Sequence, residues 1–190
     1  TNITVSSFPS MPSDTNLAGY WAFNENSGTA LYDNSMNGNN GVFSNCTIVA
    51  GVYGNALSFN GTTSYVQITD NADFQNIWDG GGSVSIWIYP TGFGEDGRIL
   101  SKHNAGYTAG WFCGMSGDSG TTANLQFAQY FTTGSTNFTS TAKVITYNTW
   151  THIIITYNSD STSNLPTCYI NGVSVALTTG TGTGTRITDV

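Results

Sequence analysis

The sequence is short of positive charge. Only four of its 190 residues are basic, Arg98, Lys102, Lys143 and Arg186, against eleven acidic ones, for a formal net charge of −7. Nucleic-acid affinity rests on several Lys and Arg side chains set against phosphates, so we expect no nucleic-acid partner. Adhesion to an anionic membrane needs similar basic clusters and is not expected either. Charge of both signs is scarce, at 8% of residues, while 25 positions are aromatic. Disordered chains show the opposite balance. Long apolar runs are missing, so no helix is expected to insert into a bilayer. The opening TNITVSSFPS has neither a charged n-region nor an apolar h-region, so no signal peptide is visible.

Cysteine is scarce too. Cys46, Cys113 and Cys168 are an odd number at spacings that match no metal site. They read as buried free thiols, with one disulfide and a leftover thiol as the alternative. Helical periodicity is absent, apart from one turn expected near Ala72–Trp78. There is no Gly-x-Ser-x-Gly elbow and no Walker loop. Asp79-Gly80-Gly81-Gly82 reads as a turn.

What the chain does have is Thr, Ser, Asn and Gly, which supply 92 of 190 positions, and dense strand signals. Ser83 to Tyr89 alternates small polar or aromatic residues with aliphatic ones until Pro90. Trp150 to Tyr157 (WTHIIITY) is rich in β-branched and aromatic residues. Asn171-Gly172 joins Thr167–Ile170 to Val173–Leu177, a pairing that favours a type I′ hairpin. Further strands are expected at Ala18–Phe23, Gly41–Phe43, Ala56–Phe59, Tyr65–Ile68, Arg98–Lys102, Gly110–Gly114, Asn124–Phe131 and Thr136–Val144. Short polar breaks separate them, which argues for an all-β sandwich or jelly roll. Residues 1–16 read as an extended arm or linker that contacts a protein neighbour in a larger assembly. Residues 17–190 read as one domain. Thr178–Thr185 (TTGTGTGT) reads as low complexity and flexible, and Arg186–Val190 as the start of a further strand.

Several segments carry a resemblance. They are Gly19-Tyr20-Trp21-Ala22-Phe23-Asn24-Glu25-Asn26-Ser27-Gly28 with Tyr32-Asp33-Asn34-Ser35 and Asn37–Gly41, then Gly54-Asn55-Ala56-Leu57-Ser58-Phe59-Asn60-Gly61 with Tyr65–Ile68. Val84–Pro90, Ile99–Lys102, Trp150-Thr151-His152 and Tyr169–Val173 follow in order. Together, over residues 17–177, the chain resembles the laminin-G-like jelly-roll domains of the concanavalin A-like lectin/glucanase superfamily. The resemblance implies a two-sheet antiparallel β-sandwich, lacking its last strands in this chain. It also implies that Trp21, Phe23, Phe59, Trp87 and Trp150 are packing residues, and it places His152 at a structural strand position.

Glycan-hydrolysing members of that superfamily set carboxylates at alternating positions of one strand. Retaining glycosidases need two carboxyl groups ≈ 5–5.5 Å apart, and i, i+2 spacing on a strand supplies one face for both. No such pair occurs here. Glu95 and Asp96 are adjacent and read as solvating the loop Gly92–Gly97. We therefore expect no enzyme. Asp33-Asn34-Ser35-Met36-Asn37-Gly38 matches the start of an EF-hand loop but has Ser44 at position 12, which rules the EF-hand out. A looser Ca²⁺ site at Asp33 and Asn60, with carbonyls near Gly61, is one expectation. An Asx-type turn at Asp33 is the other.

The ligand expected is a glycan or surface polysaccharide, on an extracellular, cell-surface or virion protein. Tyr107, Trp111, Tyr130 and Phe93, aromatics in or near loops, are the candidate stacking platforms. Asn104 and Gln129 would serve the hydroxyls, and His103 lies in the same loop. The alternative is a structural decoration domain of a particle with little sugar binding. Asn2, Asn45, Asn60 and Asn137 begin glycosylation sequons, a number that chance explains in this composition.

Overall fold

A computed structural model describes residues 16–93, 97–180 and 183–189. The expected arm, residues 1–16, lies outside them apart from Asn16, as do Glu95, Asp96 and Val190. The chain is all-β, with one 3₁₀ turn at Ala72–Phe74. It forms two compact units, Thr1–Thr69 and Asp70–Val190, a division inside the range that the sequence suggested was one domain.

In the first unit, β1 (Ala30–Leu31), β2 (Gly41–Ser44) and β5 (Tyr65–Ile68) form an antiparallel sheet in the order β1-β2-β5. β3 (Thr47–Ala50) and β4 (Asn55–Ser58) make a separate hairpin. The strand expected at Ala18–Phe23 does not form. Trp21 makes an isolated bridge to Asp33, and Phe23 turns left-handed at φ 55, which ends extended backbone there. The Trp21 indole N–H donates to the Asn39 carbonyl at 2.9 Å.

The second unit is a two-layer sandwich. Its strands are β6 (Gly82–Ile88), β7 (Arg98–His103), β8 (Gly110–Ser116), β9 (Thr122–Ser140), β10 (Ile145–Thr146), β11 (Thr151–Tyr157), β12 (Thr167–Ile170), β13 (Val173–Val175), β14 (Leu177–Thr179) and β15 (Thr183–Arg186). One sheet runs β13-β12-β11-β6 and the other β10-β9-β8-β7, with β14 and β15 also paired to β9. Asn171 and Gly172 both take positive φ, 50 and 80, as the expected type I′ turn requires.

The two strands expected at Asn124–Phe131 and Thr136–Val144 are one, the 19-residue β9. Residues 123, 125 and 127 face the core, and so does 138. That change of parity passes through Gly134, at φ 105, a conformation glycine adopts without strain. The long strand also overturns the flexible reading of Thr178–Thr185. β14 and β15 pair along it, and the Thr178 hydroxyl donates to the Thr139 carbonyl at 3.0 Å. Threonine suits a pleated strand once a template edge is present. Positions 181 and 182 lie outside the described residues.

Between the sheets lies an aromatic core. Trp78 meets Trp111 and Phe127 edge-on, with centroids 5.3 and 5.2 Å apart, and Tyr157 packs on Phe127 and Phe138. Cys113 and Cys168 are buried here as free thiols, and Cys46 is free and half-buried. Burial pushes the Cys168 thiol up to about 12 and the Cys113 thiol higher still, so neither is a nucleophile at neutral pH.

Alternation decides which rings are inside. β6 turns Val84, Ile86 and Ile88 toward the core, so Ser85 and Trp87 point the other way. Trp87 is 40% exposed and Phe59 50% exposed, while Trp21, Phe23 and Trp150 are half-buried. Trp87 and Phe59 are thus exposed rather than packed inside as the resemblance implied, and the rings that fill the core of the second unit are Trp78, Trp111, Phe127, Phe138 and Tyr157. His152 stacks on Trp87 at 4.8 Å, and its Nε2 is 2.8 Å from the Ser85 hydroxyl.

Candidate functional site

The loop between β7 and β8 is built by one asparagine. The Asn104 side-chain oxygen accepts from the Thr108 and Ala109 amides at 2.9 and 3.3 Å, and its amide nitrogen donates to the Thr108 hydroxyl at 2.8 Å. The Tyr107 amide donates to the Asn104 carbonyl at 3.1 Å. This closed turn holds Tyr107 left-handed at φ 53, and the residue is 45% exposed. Asn104 therefore positions the ring; its side-chain oxygen is already occupied.

Tyr107 stacks on His103, with centroids 4.6 Å apart and planes at 29°. His103 Nδ1 is 2.9 Å from the Asn104 carbonyl oxygen, and Nε2 is 3.3 Å from Arg98 Nη1. A carbonyl only accepts and a guanidinium only donates. Paired this way, Nδ1 is the ring nitrogen that donates to the carbonyl and Nε2 the one that accepts from Arg98. The Arg98 guanidinium lies over the Phe112 ring, 3.9 Å from its centroid, and 5.2 Å from the Tyr107 centroid, within cation–π range.

Phe112 alternates with Trp111 and Cys113, which face the core, so this cluster occupies the opposite face of the six-stranded sheet. Tyr130 of β9 joins it. Burial pushes the Tyr130 hydroxyl up, against the lowering effect of the Arg98 charge. The candidate site thus gathers Arg98, His103, Tyr107, Phe112 and Tyr130 from β7, the Asn104 loop, β8 and β9.

The other expected ligand residues lie elsewhere. Trp111 is 4% exposed in the core, so its ring offers no stacking face to a ligand. Gln129 is 1% exposed, and its amide nitrogen donates to the Tyr130 carbonyl at 3.2 Å. Phe93 packs against the core. Both Trp111 and Gln129 fall on the inward parity of their strands, where they pair across β8 and β9. Arg98 and Phe112 were not anticipated as site residues. The signal for Arg98 was its rarity: a cation one turn of chain from aromatics, in a sequence with only four basic residues.

Asp33 and Asn60 each serve the chain's own backbone. Asp33 Oδ1 accepts from the Tyr20 and Ser35 amides at 2.9 and 2.8 Å, and Oδ2 from the Ser35 hydroxyl and Asn39 amide at 2.8 and 2.9 Å. Desolvation alone would raise this carboxyl, but these four donors outweigh it and hold it below the ordinary value. The Asn60 side-chain oxygen accepts from the amides of Thr62, Thr63 and Ser64 at 3.0, 2.9 and 3.1 Å. The bonds from Ser35 to Asp33 and from Thr62 to Asn60 have the form of Asx-type turns. Among the described residues no group of three His, Cys, Asp or Glu side chains gathers.

The family is decided by sequence. A laminin-G-like model (Laminin_G_3) of the concanavalin A-like lectin/glucanases superfamily matches residues 60–189. The chain belongs to this family. No curated protein and no solved structure matched it. The matched span includes every strand of the second unit, and with them the Arg98–Tyr107 cluster of this laminin-G-like domain.

Proposed function

We propose that this laminin-G-like chain is a non-catalytic glycan-binding module of an extracellular or particle-surface protein, and that it binds through the Arg98–Tyr107 face of the six-stranded sheet. The observation that carries this reading is Tyr107. Tyr107 is 45% exposed; the Asn104 turn holds its backbone left-handed, and His103 stacks on its ring. Sugars are recognised by rigid aromatic surfaces flanked by a few polar groups, and pre-ordering the ring lowers the entropy lost on binding. The non-catalytic part is supported by three carboxylates of the second unit that are engaged in local structure. Asp70 pairs with Lys102, Asp79 with Arg186, and Asp118 accepts from Tyr147.

A glycan array with the whole chain, in Ca²⁺ and then in EDTA, tests the proposal. We expect binding that persists in EDTA, because the Asp33 and Asn60 oxygens already have donors. We expect Tyr107→Ala to lose it at least about tenfold, the scale of one stacking contact. No binding in either condition sinks the reading.

That result would favour a structural appendage instead, and one feature supports this second reading. The outer face of the four-stranded sheet carries Trp87 stacked on His152, and Tyr89 beside Trp150 at 5.5 Å. Such a half-exposed aromatic row suits a protein neighbour in an assembly. Co-purification with a particle, with no glycan bound, would establish it.

A further inference from the structure

Arg98 differs from the other three cations. Lys102 pairs with Asp70 at 3.0 Å and Arg186 with Asp79 at 2.7 Å. Lys143 donates to the Gly117 carbonyl and acts on Asp118. Arg98 has no carboxylate partner among the described residues, although acidic residues outnumber basic ones eleven to four. It is half-buried, which makes an unpaired charge costly. What holds it is the Phe112 ring beneath it and His103 Nε2 beside it.

That support leaves most of the guanidinium's donors without an acceptor among the described residues. Arginine carries five N–H groups in a planar fork, and among the described residues one hydrogen-bond interaction, from Nη1 to His103, is present. A His103 Nε2 that accepts from Arg98 Nη1 helps to fix the plane of the fork. A planar fork pre-set on an aromatic ring is matched by a planar two-oxygen anion, which takes two parallel N–H bonds.

We infer that the ligand of this face is an acidic glycan, and that Arg98 receives a carboxylate borne by one of its sugar rings while Tyr107 meets the ring itself. The inference rests on the glycan-binding reading above and names the substrate class. The chain's net charge of −7 opposes it at long range. Beyond about 8 Å that repulsion is screened at physiological salt, whereas a direct bidentate contact is not. The local term therefore decides.

The test uses the whole chain on an array bearing neutral, carboxylated and sulfated glycans, followed by titration calorimetry at fixed salt. The strongest carboxylated glycan is compared with the same glycan after reduction of its carboxyl to an alcohol. We expect the reduced form to bind at least about tenfold more weakly, the loss of one charge-assisted pair. Arg98→Gln should abolish that difference, and Arg98→Lys should recover only part of it, since ammonium lacks the fork. Near-ultraviolet circular dichroism of both variants checks that Phe112 and Tyr107 remain packed. Equal binding of the acid and its reduced form, or a preference for sulfated over carboxylated glycans, overturns the inference and leaves the glycan-binding reading standing. An Arg98→Gln variant that folds and still prefers the acid also overturns it. No binding to any glycan overturns both.

Discussion

Residues 16–69 and residues 70–189 reach order by different means. In the first unit the buried apolar side chains among the described residues are Leu31 and Phe43. Its longest strands have four residues. Polar side chains do the fastening: Asp33 gathers backbone from positions 20, 35 and 39, and the Asn24 side chain accepts from the Asn55 amide at 3.0 Å. In the second unit a 19-residue strand serves as the spine, and rings from both sheets interlock. The comparison shows how one Asn-, Ser-, Thr- and Gly-rich composition supports two building methods. Hydrogen bonds are directional and local, so they fix turns. Apolar burial is non-directional and scales with area, so it needs long strands that can face one another.

The sharpest way to break this contrast is Phe127→Ala. Phe127 is 1% exposed and touches Trp78, Phe138 and Tyr157. Its removal should cost about 3–5 kcal/mol, a large share of a stability of roughly 5–15 kcal/mol. Urea unfolding followed by tryptophan fluorescence measures it. A loss below about 1 kcal/mol would mean that the core is not what holds the second unit.

Asp33→Ala is the matching test of the first unit. It leaves four donors without their acceptor. Tyr20 and Ser35 are half-buried and their donors can turn to water, while Asn39 is buried, so the expected cost is smaller, about 1–2 kcal/mol. Hydrogen exchange should show the amides of Tyr20, Ser35 and Asn39 losing protection while those of β11 keep theirs. The pH dependence has a definite sign. The folded carboxyl lies below its ordinary value of 3.8, so its contribution is present above that pH and fades as pH falls through the folded value. Asp33→Asn should remove this acid limb. Unchanged protection of the three amides would show that the hub is decorative.

The same contrast explains what could be seen in advance. Strand positions such as Thr151–Tyr157 and the Asn171-Gly172 hairpin declare themselves through local chemistry, and so did the Asx turn at Asp33. Strand parity does not. Trp87 and Trp111 occupy similar aromatic-rich stretches, and only the facing sheet decides that one points outward and the other inward. The low-complexity stretch after Ala176 becomes strand because β9 is long enough to pair it, a fact held by residues some 40 positions earlier. The site was half legible for the same reason. Tyr107 and Tyr130 were flagged as aromatics near loops, whereas Arg98 and Phe112 meet only once β7 and β8 are in register.

A smaller effect sharpens the boundary between the two methods. Tyr147 lies at the edge of the core and donates to Asp118 at 2.6 Å. That bond is the chief reason the Asp118 carboxyl falls below its ordinary value, and burial with the same bond raises the Tyr147 hydroxyl to about 12. Tyr147→Phe keeps the ring in the core. It should therefore leave the unfolding midpoint at neutral pH nearly unchanged while the Asp118 titration, followed by carboxyl NMR, moves up. A large fall in midpoint with no movement of Asp118 would invert the assignment of roles.

The smallest effect is expected at Asp189, and its sign is opposite to that at Asp33. Asp189 is buried, and its Oδ2 accepts from the Asn76 amide at 3.1 Å, while its own amide donates to the Asn76 side chain at 3.0 Å. Burial raises its carboxyl above the ordinary value; Lys102, the Asn76 amide and Arg186 oppose this without cancelling it. A carboxyl raised on folding contributes stability that is whole below its unfolded value and is lost as pH climbs through the folded one. At neutral pH the ionised Asp189 is thus slightly unfavourable. Asp189→Asn keeps an oxygen for the Asn76 amide and removes the charge. It should match or exceed the parent's stability at pH 7, by under about 1 kcal/mol, and lose that advantage near pH 3, where the parent's carboxyl is itself neutral. Paired urea titrations at the two values decide it. An Asn variant less stable at pH 7 would mean that Arg186 and Lys102 outweigh burial, and that this end of the aromatic unit is fastened by charge, as the first unit is by Asp33.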